Sequence, residues 1–273
     1  MDKIKIKNLE VHGYHGVFPE ENEKGQTFVL SATLYCDTRQ AGQTDNLAKT
    51  INYGSVSKMM YKFVQKNMFQ LVETVVERLA EKMLLTIPEL QKVKLELQKP
   101  EAPIGLKFET IAVEIERGWH TAYIGLGSNV GDKEAFLEAG VETLADTKGC
   151  IVEKVSKFIL TEPVGDVVQE DFLNGALKLR TLFTPQELLV KLKEIEQENG
   201  RERNVRWGPR TLDLDILLYD DIIMASTKLE IPHIEMHKRG FVLEPLAQIA
   251  PYVHHPILRK TVAEMLADFK EEN

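Results

Sequence analysis

One stretch in the second half of the chain constrains its fold most strongly, because an arginine-rich turn leads directly into an alternating apolar run. Residues 201–219 read RERNVRWGPRTLDLDILLY. The alternation after the proline predicts a strand. Asp213 and Asp215 are two positions apart on it, so both point from one face, with alpha carbons roughly 6 to 7 Å apart. The turn before this strand carries Arg201, Arg203, Arg206 and Arg210, with Trp207, Gly208 and Pro209.

The pairing of these two features indicates a chemistry. Mg²⁺ prefers oxygen ligands, and an arginine guanidinium contacts phosphate oxygens through two parallel hydrogen bonds. An Asp-x-Asp pair alone is usually the solvated face of an edge strand, and an arginine-rich loop alone is usually solvated. Together, with a strand to give the carboxylates rigidity, they favour phosphoryl or pyrophosphoryl transfer.

Length and composition describe an ordinary globular protein. The 273 residues suffice for about two domains, and 43% of them are hydrophobic and 28% charged. The first ten residues alternate charged and apolar side chains, which predicts neither a signal peptide nor a membrane span, so we expect a cytoplasmic protein without a membrane partner. Cys36 and Cys150 are too few and too far apart for a disulfide framework or a cysteine zinc site.

The charge distribution argues against a nucleic-acid partner. Residues 1–118 carry equal numbers of acidic and basic side chains, so the net charge of −8 falls entirely on residues 119–273. A nucleic-acid-binding protein usually spreads positive charge over a whole face. Here it is concentrated in one loop on an acidic background, which indicates a small anionic ligand.

Hydrophobic periodicity predicts a small α+β domain in the first half. Two alternating strands come first, two amphipathic helices follow, and two further strands end the segment. The order ββααββ predicts an antiparallel sheet with both helices on one face. The predicted strands cover about residues 4–14, 27–37, 93–99 and 110–118, and the predicted helices cover about 55–66 and 71–83, with a loop at 18–25 between the first two strands.

In residues 1–118 the sequence resembles the dihydroneopterin aldolase family. No one motif is specific, but their order and spacing together are. The motifs that carry the resemblance are Gly13-Tyr14-His15-Gly16, Glu21-Asn22-Glu23-Lys24-Gly25-Gln26, Thr44-Asp45-Asn46, Asn52-Tyr53-Gly54, Glu73 with Glu77-Arg78, and Lys99-Pro100 leading to Pro103-Ile104.

The resemblance implies a fold, an assembly and four site residues. The family has the tunnelling fold, in which subunits join their sheets into a ring and the active site forms between neighbours, so we expect a homo-oligomer, a tetramer or an octamer. By position, Glu73 would anchor the pterin and Glu21 would hold the substrate side chain and a catalytic water. Lys99 and Tyr53 would form the acid–base pair, and no cofactor is implied, because the dihydropterin ring is itself the electron sink.

The second half, residues 119–273, predicts a ferredoxin-like domain. Its elements follow the order β-α-β-β-α-β, with a helix over about 132–147, one strand near 151–159, and a helix that Thr184 caps and that ends at Gly200. The run Gly125 to Gly131 is not a dinucleotide-binding loop, because its last glycine falls one residue late for that pattern, and neither half contains a P-loop motif.

Over nearly all of this half the sequence resembles the 6-hydroxymethyl-7,8-dihydropterin pyrophosphokinase family. The specific signature is Arg206-Trp207-Gly208-Pro209-Arg210 followed by Asp213-Leu214-Asp215. Supporting motifs are Gly127-Ser128-Asn129, Phe172-Leu173-Asn174, Glu196 ahead of Gly200-Arg201, and Pro232-His233 with Arg239-Gly240-Phe241.

This second resemblance implies ATP as a substrate and two Mg²⁺ ions held by Asp213 and Asp215. The nucleophile would be the hydroxymethyl oxygen of the pterin, and AMP would leave. The implied ATP-binding residues are Arg201, Arg203, Trp207, Arg210, His233, Arg239 and Glu196, with Arg201 and Arg210 also acting in catalysis. The implied pterin-binding residues are Asn174, Phe172, Phe241, Thr161 and Val164.

Two positions depart from the family pattern. Phe172 lacks the hydroxyl of the tyrosine found there in some members, and Ile234 replaces an aromatic residue often found after the histidine.

Two other classes of function stay open. The first alternative is an RNA-binding module, since Lys238-Arg239-Gly240-Phe241 begins like an RNP1 motif, although Val242-Leu243-Glu244 does not continue it. The second is that the first half is an assembly scaffold without activity. A bifunctional enzyme is favoured, because the aldolase product is the substrate of the kinase.

Overall fold

The structure is a computed structural model that describes residues 1–163, 169–200 and 210–272. The chain forms two compact units, Met1–Trp119 and His120–Asn273. Among the described residues, no helix is both long and apolar enough to cross a lipid bilayer.

An antiparallel four-stranded sheet and two long helices make up most of the first unit. In chain order its elements are β1 (Asp2–Gly13), α1 (Pro19–Lys24), β2 (Gln26–Cys36), α2 (Arg39–Thr44), α3 (Tyr53–Lys66), α4 (Val72–Thr86), β3 (Lys92–Lys99) and β4 (Ile111–Gly118). A short 3₁₀ helix covers Leu47–Lys49. The strands pair in the order β1-β2-β3-β4, which confirms the predicted ββααββ arrangement.

One face of this sheet forms the core of the unit. Every second side chain of β2 is buried, including Phe28, Leu30 and Leu34. The helix α3 packs against β1, and α4 packs against β3 and β4. Burial of such large side chains contributes about 1.5 to 3 kcal/mol each, so the alternation that predicted the strands also provides the packing.

The predicted loop between the first two strands contains a short helix, α1. It begins at Pro19, whose fixed φ suits the first helical turn, and it ends before Gly25, which has a φ of +66°. Periodicity could not have revealed a helix of only six residues. Its effect is local but important, because it turns Glu21 into the interior of the unit.

The side chain of His15 ties the end of β1 to the connection between α3 and α4. Its ring is fully buried, Nε2 lies 3.0 Å from the carbonyl oxygen of Val64, and Nδ1 lies 3.1 Å from the backbone nitrogen of Phe69. A carbonyl only accepts and a backbone N–H only donates, so the proton sits on Nε2. Burial lowers the pKa of His15; the bond to Val64 works in the opposite direction, and the charge of Lys99 lowers the pKa further.

The second unit is built around a sheet with helices on both faces. In chain order its elements are β5 (His120–Ser128), α5 (Lys133–Asp146), β6 (Cys150–Val155), β7 (Ile159–Thr161), β8 (Phe172–Thr181), α6 (Pro185–Glu198), β9 (Asp213–Tyr219), β10 (Met224–Ala225), β11 (Glu230–Ile231), α7 (Gly240–Ile249) and α8 (Val262–Glu272). The main strands pair in the order β6-β8-β5-β9, and β7 pairs with β8. This order is ferredoxin-like, so the predicted α+β class is confirmed.

Two separate apolar clusters lie on the two faces of this sheet. Leu126, Leu214 and Ile216 pack with α5 and α6 on one face, while Tyr123 and Leu217 pack with α7 and α8 on the other. Neighbouring residues of β5 and β9 therefore enter different cores. The start of β9 lies beyond the second cluster, and this leaves part of that face open.

The structure confirms the predicted start of α6 and corrects the predicted strand over 151–159. Thr184 accepts a hydrogen bond from the backbone of Glu187, and the Glu187 side chain bonds back to the backbone of Thr184. The predicted single strand is instead two, β6 and β7. Ser156 causes the interruption, because its hydroxyl accepts the Ala176 N–H at 2.9 Å and takes a bond that a continuous backbone ladder would use.

We expect the first unit to lose stability as the pH falls below about 6.5, the ordinary histidine value. The unfolded chain then binds a proton that the folded chain takes up only at lower pH, because the folded-state pKa of His15 is lowered. His15→Gln should remove this component, since an amide does not titrate. Hydrogen exchange of the β2 amides in urea, at about pH 5.5 and about pH 7.5, would measure it. The stability advantage of the wild type over the variant should shrink at the lower pH; an equal advantage at both would contradict the assignment.

Candidate active sites

Two aspartates at the start of β9 point into a cleft on one face of the second sheet. Asp213 lies opposite Gly127, and Asp215 lies opposite Gly125, in the antiparallel pairing of β9 with β5. Because glycine has no side chain, this part of the sheet face stays open, and all four residues line a cleft of about 780 Å³. Leu214, between the aspartates, is buried on the opposite face. The two carboxylates therefore share one face and one cleft.

An amide and two aromatic rings line a further part of the cleft. Asn174 pairs across the strands with Gly127, and its amide nitrogen donates to the hydroxyl of Thr161 at 2.7 Å. A Cβ atom at Gly127 would lie only 3.2 Å from Oδ1 of Asn174, so a side chain there would push the amide away. Phe172 and Phe241 complete this part. An amide that can hydrogen-bond and rings that can stack suit a flat heterocycle.

Cationic side chains supply the positive charge of the cleft. The guanidinium of Arg210 forms an ion pair with Asp213, three positions along the chain. The guanidinium carbon of Arg239 lies 5.7 Å from the ring centroid of Phe241, and Lys238 also lines the cleft. Guanidinium groups next to carboxylates are suited to a ligand that brings both phosphates and a cation.

His233 contributes a neutral imidazole to the same cleft. Burial lowers the pKa of His233, the charge of Arg239 lowers it further, and nearby carboxylates, including that of Asp213, oppose these effects. Its Nδ1 accepts the Glu235 N–H at 3.3 Å. The proton therefore sits on Nε2, which can donate a hydrogen bond to an anionic oxygen.

Glu196 lies behind the cleft instead of lining it. This side chain of α6 is buried, and its Oε1 accepts the backbone N–H of Leu214 at 2.9 Å. Leu214 separates Asp213 from Asp215, so the contact of Glu196 is with the strand that carries the carboxylates. The resemblance implied a role for Glu196 in ATP binding; the position supports an indirect one, through the backbone of β9.

The two carboxylates form only part of a cation site. Within the described ranges, no group of three or more His, Cys, Asp or Glu side chains is placed to hold a metal ion. Mg²⁺ takes octahedral oxygen ligation and commonly keeps waters and substrate phosphates among its ligands. Asp213 and Asp215 therefore suit Mg²⁺ that arrives with a phosphate ligand.

Four residues predicted for this site lie outside the described residues. They are Val164, Arg201, Arg203 and Trp207. The described part of the cleft brings together Thr161, Phe172, Asn174, Arg210, Asp213, Asp215, His233, Arg239 and Phe241.

In the first unit, the structure brings Glu21 and Lys99 together. Their carboxylate and ammonium form an ion pair, and the side chain of Lys99 is only 12% exposed. Burial raises the pKa of Glu21, but the hydrogen bonds from Lys99, from the Phe18 N–H and from the Gln26 amide outweigh it and hold the pKa below its usual value. Glu21 is therefore a carboxylate at neutral pH.

Gln26 gives this pair an unfilled acceptor. Its Nε2 donates to Glu21 at 3.0 Å, while its Oε1 is buried without a hydrogen-bond partner among the described residues. An unsatisfied buried acceptor costs about 1 to 3 kcal/mol. A substrate hydroxyl or a water that donates to this oxygen would remove the cost.

The other two predicted aldolase residues are exposed. Tyr53 begins α3 and is 65% exposed, and Glu73 is exposed in the first turn of α4. Among the described residues, no hydrogen bond or ion pair joins either side chain to Glu21 or Lys99. Of the four residues predicted for the aldolase reaction, the first unit by itself brings together only Glu21 and Lys99.

Sequence reasoning missed several residues at the two sites. Glu162, Gln169 and Glu235 line the cleft without having been predicted, and Lys238, named only for its resemblance to an RNP1 motif, lines it as well. Gln26 was part of a motif without an assigned role. An acceptor that lacks a partner is visible only when burial and hydrogen bonds are known.

Comparison with protein families matches each unit to a different family. The family of dihydroneopterin aldolase matches residues 4–116, and the family of 7,8-dihydro-6-hydroxymethylpterin-pyrophosphokinase matches residues 123–251. The boundary between the matches coincides with the boundary between the two compact units.

Individual relatives cover either the whole chain or one unit. The folic acid synthesis protein FOL1 of Dictyostelium discoideum is 32% identical over 97% of this chain, which spans 44% of that protein. The 2-amino-4-hydroxy-6-hydroxymethyldihydropteridine pyrophosphokinase of Aquifex aeolicus is 43% identical, over 56% of this chain and 92% of its own length. A crystal structure of a dihydroneopterin aldolase, described as putative, from Vibrio cholerae is 32% identical over 43% of this chain and 98% of its own, with a TM-score of 0.41.

The Aquifex enzyme is matched over nearly its full length, and the aldolase family covers nearly all of the other unit. This chain therefore belongs to the 7,8-dihydro-6-hydroxymethylpterin-pyrophosphokinase family through its second unit and carries a dihydroneopterin aldolase domain in its first.

Proposed function

We propose that the second unit transfers a pyrophosphoryl group from ATP to the hydroxymethyl oxygen of 6-hydroxymethyl-7,8-dihydropterin. The observation that carries the proposal is the shared cleft in which Asp213 and Asp215 stand near Asn174, Phe172 and Phe241. The carboxylates suit a cation bound to phosphates, and the amide and rings suit a pterin. One cleft can therefore hold both substrates.

The residues of the cleft bind and orient the substrates for an in-line displacement. Two Mg²⁺ ions, bound by Asp213 and Asp215, would neutralise phosphate charge. Arg210, Arg239 and Nε2–H of His233 contact phosphate oxygens. The hydroxymethyl oxygen of the pterin forms a bond to the β-phosphorus while the bond from that phosphorus to the α,β-bridging oxygen breaks. AMP leaves with the bridging oxygen, and the hydroxyl proton passes to solvent.

For the first unit we propose aldol cleavage of 7,8-dihydroneopterin to glycolaldehyde and 6-hydroxymethyl-7,8-dihydropterin. The second hydroxyl of the substrate side chain loses its proton and becomes the aldehyde oxygen as the adjacent carbon–carbon bond breaks. The dihydropterin ring takes up the electron pair, and a proton then returns to the carbon that remains attached to it. Lys99 and Tyr53 are the acid–base pair, Glu21 orients the side chain, and Glu73 binds the pterin.

The buried Glu21–Lys99 pair favours an active aldolase over an inactive assembly scaffold. Burying two charges has a high desolvation cost, and the orphan oxygen of Gln26 adds to it. A scaffold gains nothing from this arrangement. An enzyme that cleaves a polyol uses an amine for proton transfer and acceptors that hold hydroxyl groups.

The exposure of Tyr53 and Glu73 supports a site completed by a second copy of the chain. The edges of the first sheet are complementary for such an assembly. On the face opposite the core, β1 presents Lys3 and Lys5, which pair with Tyr35 and Thr33 of β2. On the same face β4 presents Glu114 and Glu116, which form ion pairs with Lys94 and Lys92 of β3. Joining β1 of one copy to β4 of the next would place lysines beside glutamates and cover two open edges. Closed repetition gives the ring, which we propose is a tetramer or an octamer.

The proposed order of the two reactions predicts a specific time course. With 7,8-dihydroneopterin, ATP and Mg²⁺ as the only substrates, glycolaldehyde should appear first and AMP should follow after a lag. Chromatography of both products over time would measure this. Glycolaldehyde without AMP, even after 6-hydroxymethyl-7,8-dihydropterin is added directly, would contradict the function of the second unit. AMP only after that addition would leave the first unit as a scaffold.

Asp213→Ala and Asp215→Ala should each abolish AMP formation and leave glycolaldehyde formation unchanged. Each variant removes a carboxylate from the phosphate-bound cation, and neither residue belongs to the first unit. Asp221→Ala is a matched control, since this exposed aspartate lies in the turn at the other end of β9 and should keep both activities. Loss of glycolaldehyde formation in the cleft variants would show that the two reactions are not independent.

Tyr53→Phe should lower the rate of glycolaldehyde formation by about 10²- to 10⁴-fold, the usual contribution of a positioned acid or base. Because Tyr53 is 65% exposed and its ring remains, the unfolding midpoint should stay unchanged. AMP formation from added 6-hydroxymethyl-7,8-dihydropterin should also persist. A cleavage rate equal to that of the wild type would remove Tyr53 from the acid–base pair.

The charge pattern of the sheet edges predicts how assembly responds to charge reversal. Lys3→Glu with Lys5→Glu should weaken the oligomer, because the seam would then join like charges. The double variant Lys58→Glu with Lys62→Glu, on the exposed side of α3, makes the same charge change elsewhere. Light scattering at several salt concentrations would compare them. Equal masses for the two variants and the wild type would contradict the proposed seam, and so would a monomeric wild type.

A further inference from the structure

Asn129 is buried behind the cleft, just after β5, and holds the main chain of Arg210 on two sides. It is 1% exposed, and it is not among the described residues that line the cleft. Its backbone N–H donates to the carbonyl of Arg210 at 3.1 Å. Its Oδ1 accepts the backbone N–H of Arg210 at 2.8 Å. Both polar groups of the Arg210 backbone therefore bond to one residue.

The other end of the same amide contacts a second segment of the cleft wall. Nδ2 of Asn129 lies 3.1 Å from Oε1 of Gln169 and 3.4 Å from the carbonyl oxygen of Glu170, and Gln169 lines the cleft. The orientation of the amide is determined by its partners, because the Arg210 N–H can only donate and the Glu170 carbonyl can only accept. Neither aspartate nor leucine could satisfy both sides.

These contacts continue the pairing of β5 with β9 by means of a side chain. The backbone ladder between the two strands ends at Gly127 and Asp213, and Arg210 lies three residues before that end. Asn129 fixes the backbone from which the Arg210 guanidinium reaches Asp213. Because the main chain of Arg210 is fixed, fewer of its torsions have to be ordered when the guanidinium meets the phosphates.

We propose that Asn129 is a positioning residue for pyrophosphoryl transfer. It holds Arg210 beside Asp213 and ties this side of the cleft to the Gln169–Glu170 segment, although it does not contact the substrates itself. The inference rests on the proposed function of the second unit. A purely structural role for Asn129 would instead alter stability without a selective effect on turnover.

Three variants separate these roles. Asn129→Ala removes all side-chain bonds to both segments. Asn129→Asp keeps the acceptor for the Arg210 N–H but turns a carboxylate oxygen toward the Glu170 carbonyl. Thr181→Val is the matched control: the hydroxyl of Thr181 is also buried and accepts a backbone N–H, that of Phe183 at 3.1 Å, at the opposite end of β8 from Asn174.

We expect kcat for AMP formation from added 6-hydroxymethyl-7,8-dihydropterin, with ATP and Mg²⁺, to fall about 10- to 100-fold in Asn129→Ala. Thr181→Val should keep kcat at a comparable loss of unfolding midpoint. Asn129→Asp should recover most of kcat. The KM for the pterin should be raised in both Asn129→Ala and Asn129→Asp, because both variants lose the contact with the Gln169–Glu170 segment. Steady-state kinetics and thermal unfolding of the full-length chain would provide these values.

Two results would overturn the inference. In the first, kcat of Asn129→Ala equals that of Thr181→Val when their unfolding midpoints match. In the second, Asn129→Asp recovers no turnover relative to Asn129→Ala. A wild-type protein that forms no AMP would contradict the proposed function itself, so the two failures are distinguishable.

Discussion

The antiparallel pairing of β5 with β9 is the constraint on which the second unit depends. Its register sets Asp213 opposite Gly127 and Asp215 opposite Gly125, and β8 pairs with the other edge of β5 so that Asn174 is also beside Gly127. A shift of one residue would send both carboxylates into the apolar cluster on the opposite face. Buried leucines on that face, and the contact of Glu196 with Leu214, oppose such a shift. The packing of the core therefore determines the chemistry of the cleft.

The polar groups of the first unit are arranged differently, around a buried ion pair. The short helix α1 turns Glu21 inward, where it meets Lys99 at the end of β3. Tyr53 and Glu73, the other two residues predicted for the aldolase reaction, are exposed. The two units thus present their polar groups in opposite ways. The second concentrates its described groups in one cleft, whereas the first divides them between its interior and its surface.

Features that depend on contacts between residues close in sequence could be predicted, whereas features that depend on residues distant in sequence could not. Alternation along β2 and capping of α6 by Thr184 are local, and the sequence predicted both. The same-face placement of Asp213 and Asp215 also follows from strand geometry alone. The two-strand form of residues 151–159 depends on Ser156 reaching Ala176, a partner twenty positions away. The links of Asn129 to Arg210 and Glu170 span still longer separations. No pattern in a single sequence contains these partners.

Gly125 and Gly127, with the two aspartates opposite them, limit the substitutions by which the protein could become resistant to an inhibitor bound in the cleft. A Cβ atom at Gly127 would lie 3.2 Å from Oδ1 of Asn174, so the amide would have to shift by a few tenths of an ångström, and a Cβ atom at Gly125 would lie 3.3 Å from Leu217 in the core. The neighbouring aspartates have no chemical substitute among the natural side chains that keeps both length and charge. An inhibitor that binds mainly through these four residues, and little through the rest of the cleft, would leave the protein few substitutions that reduce its affinity.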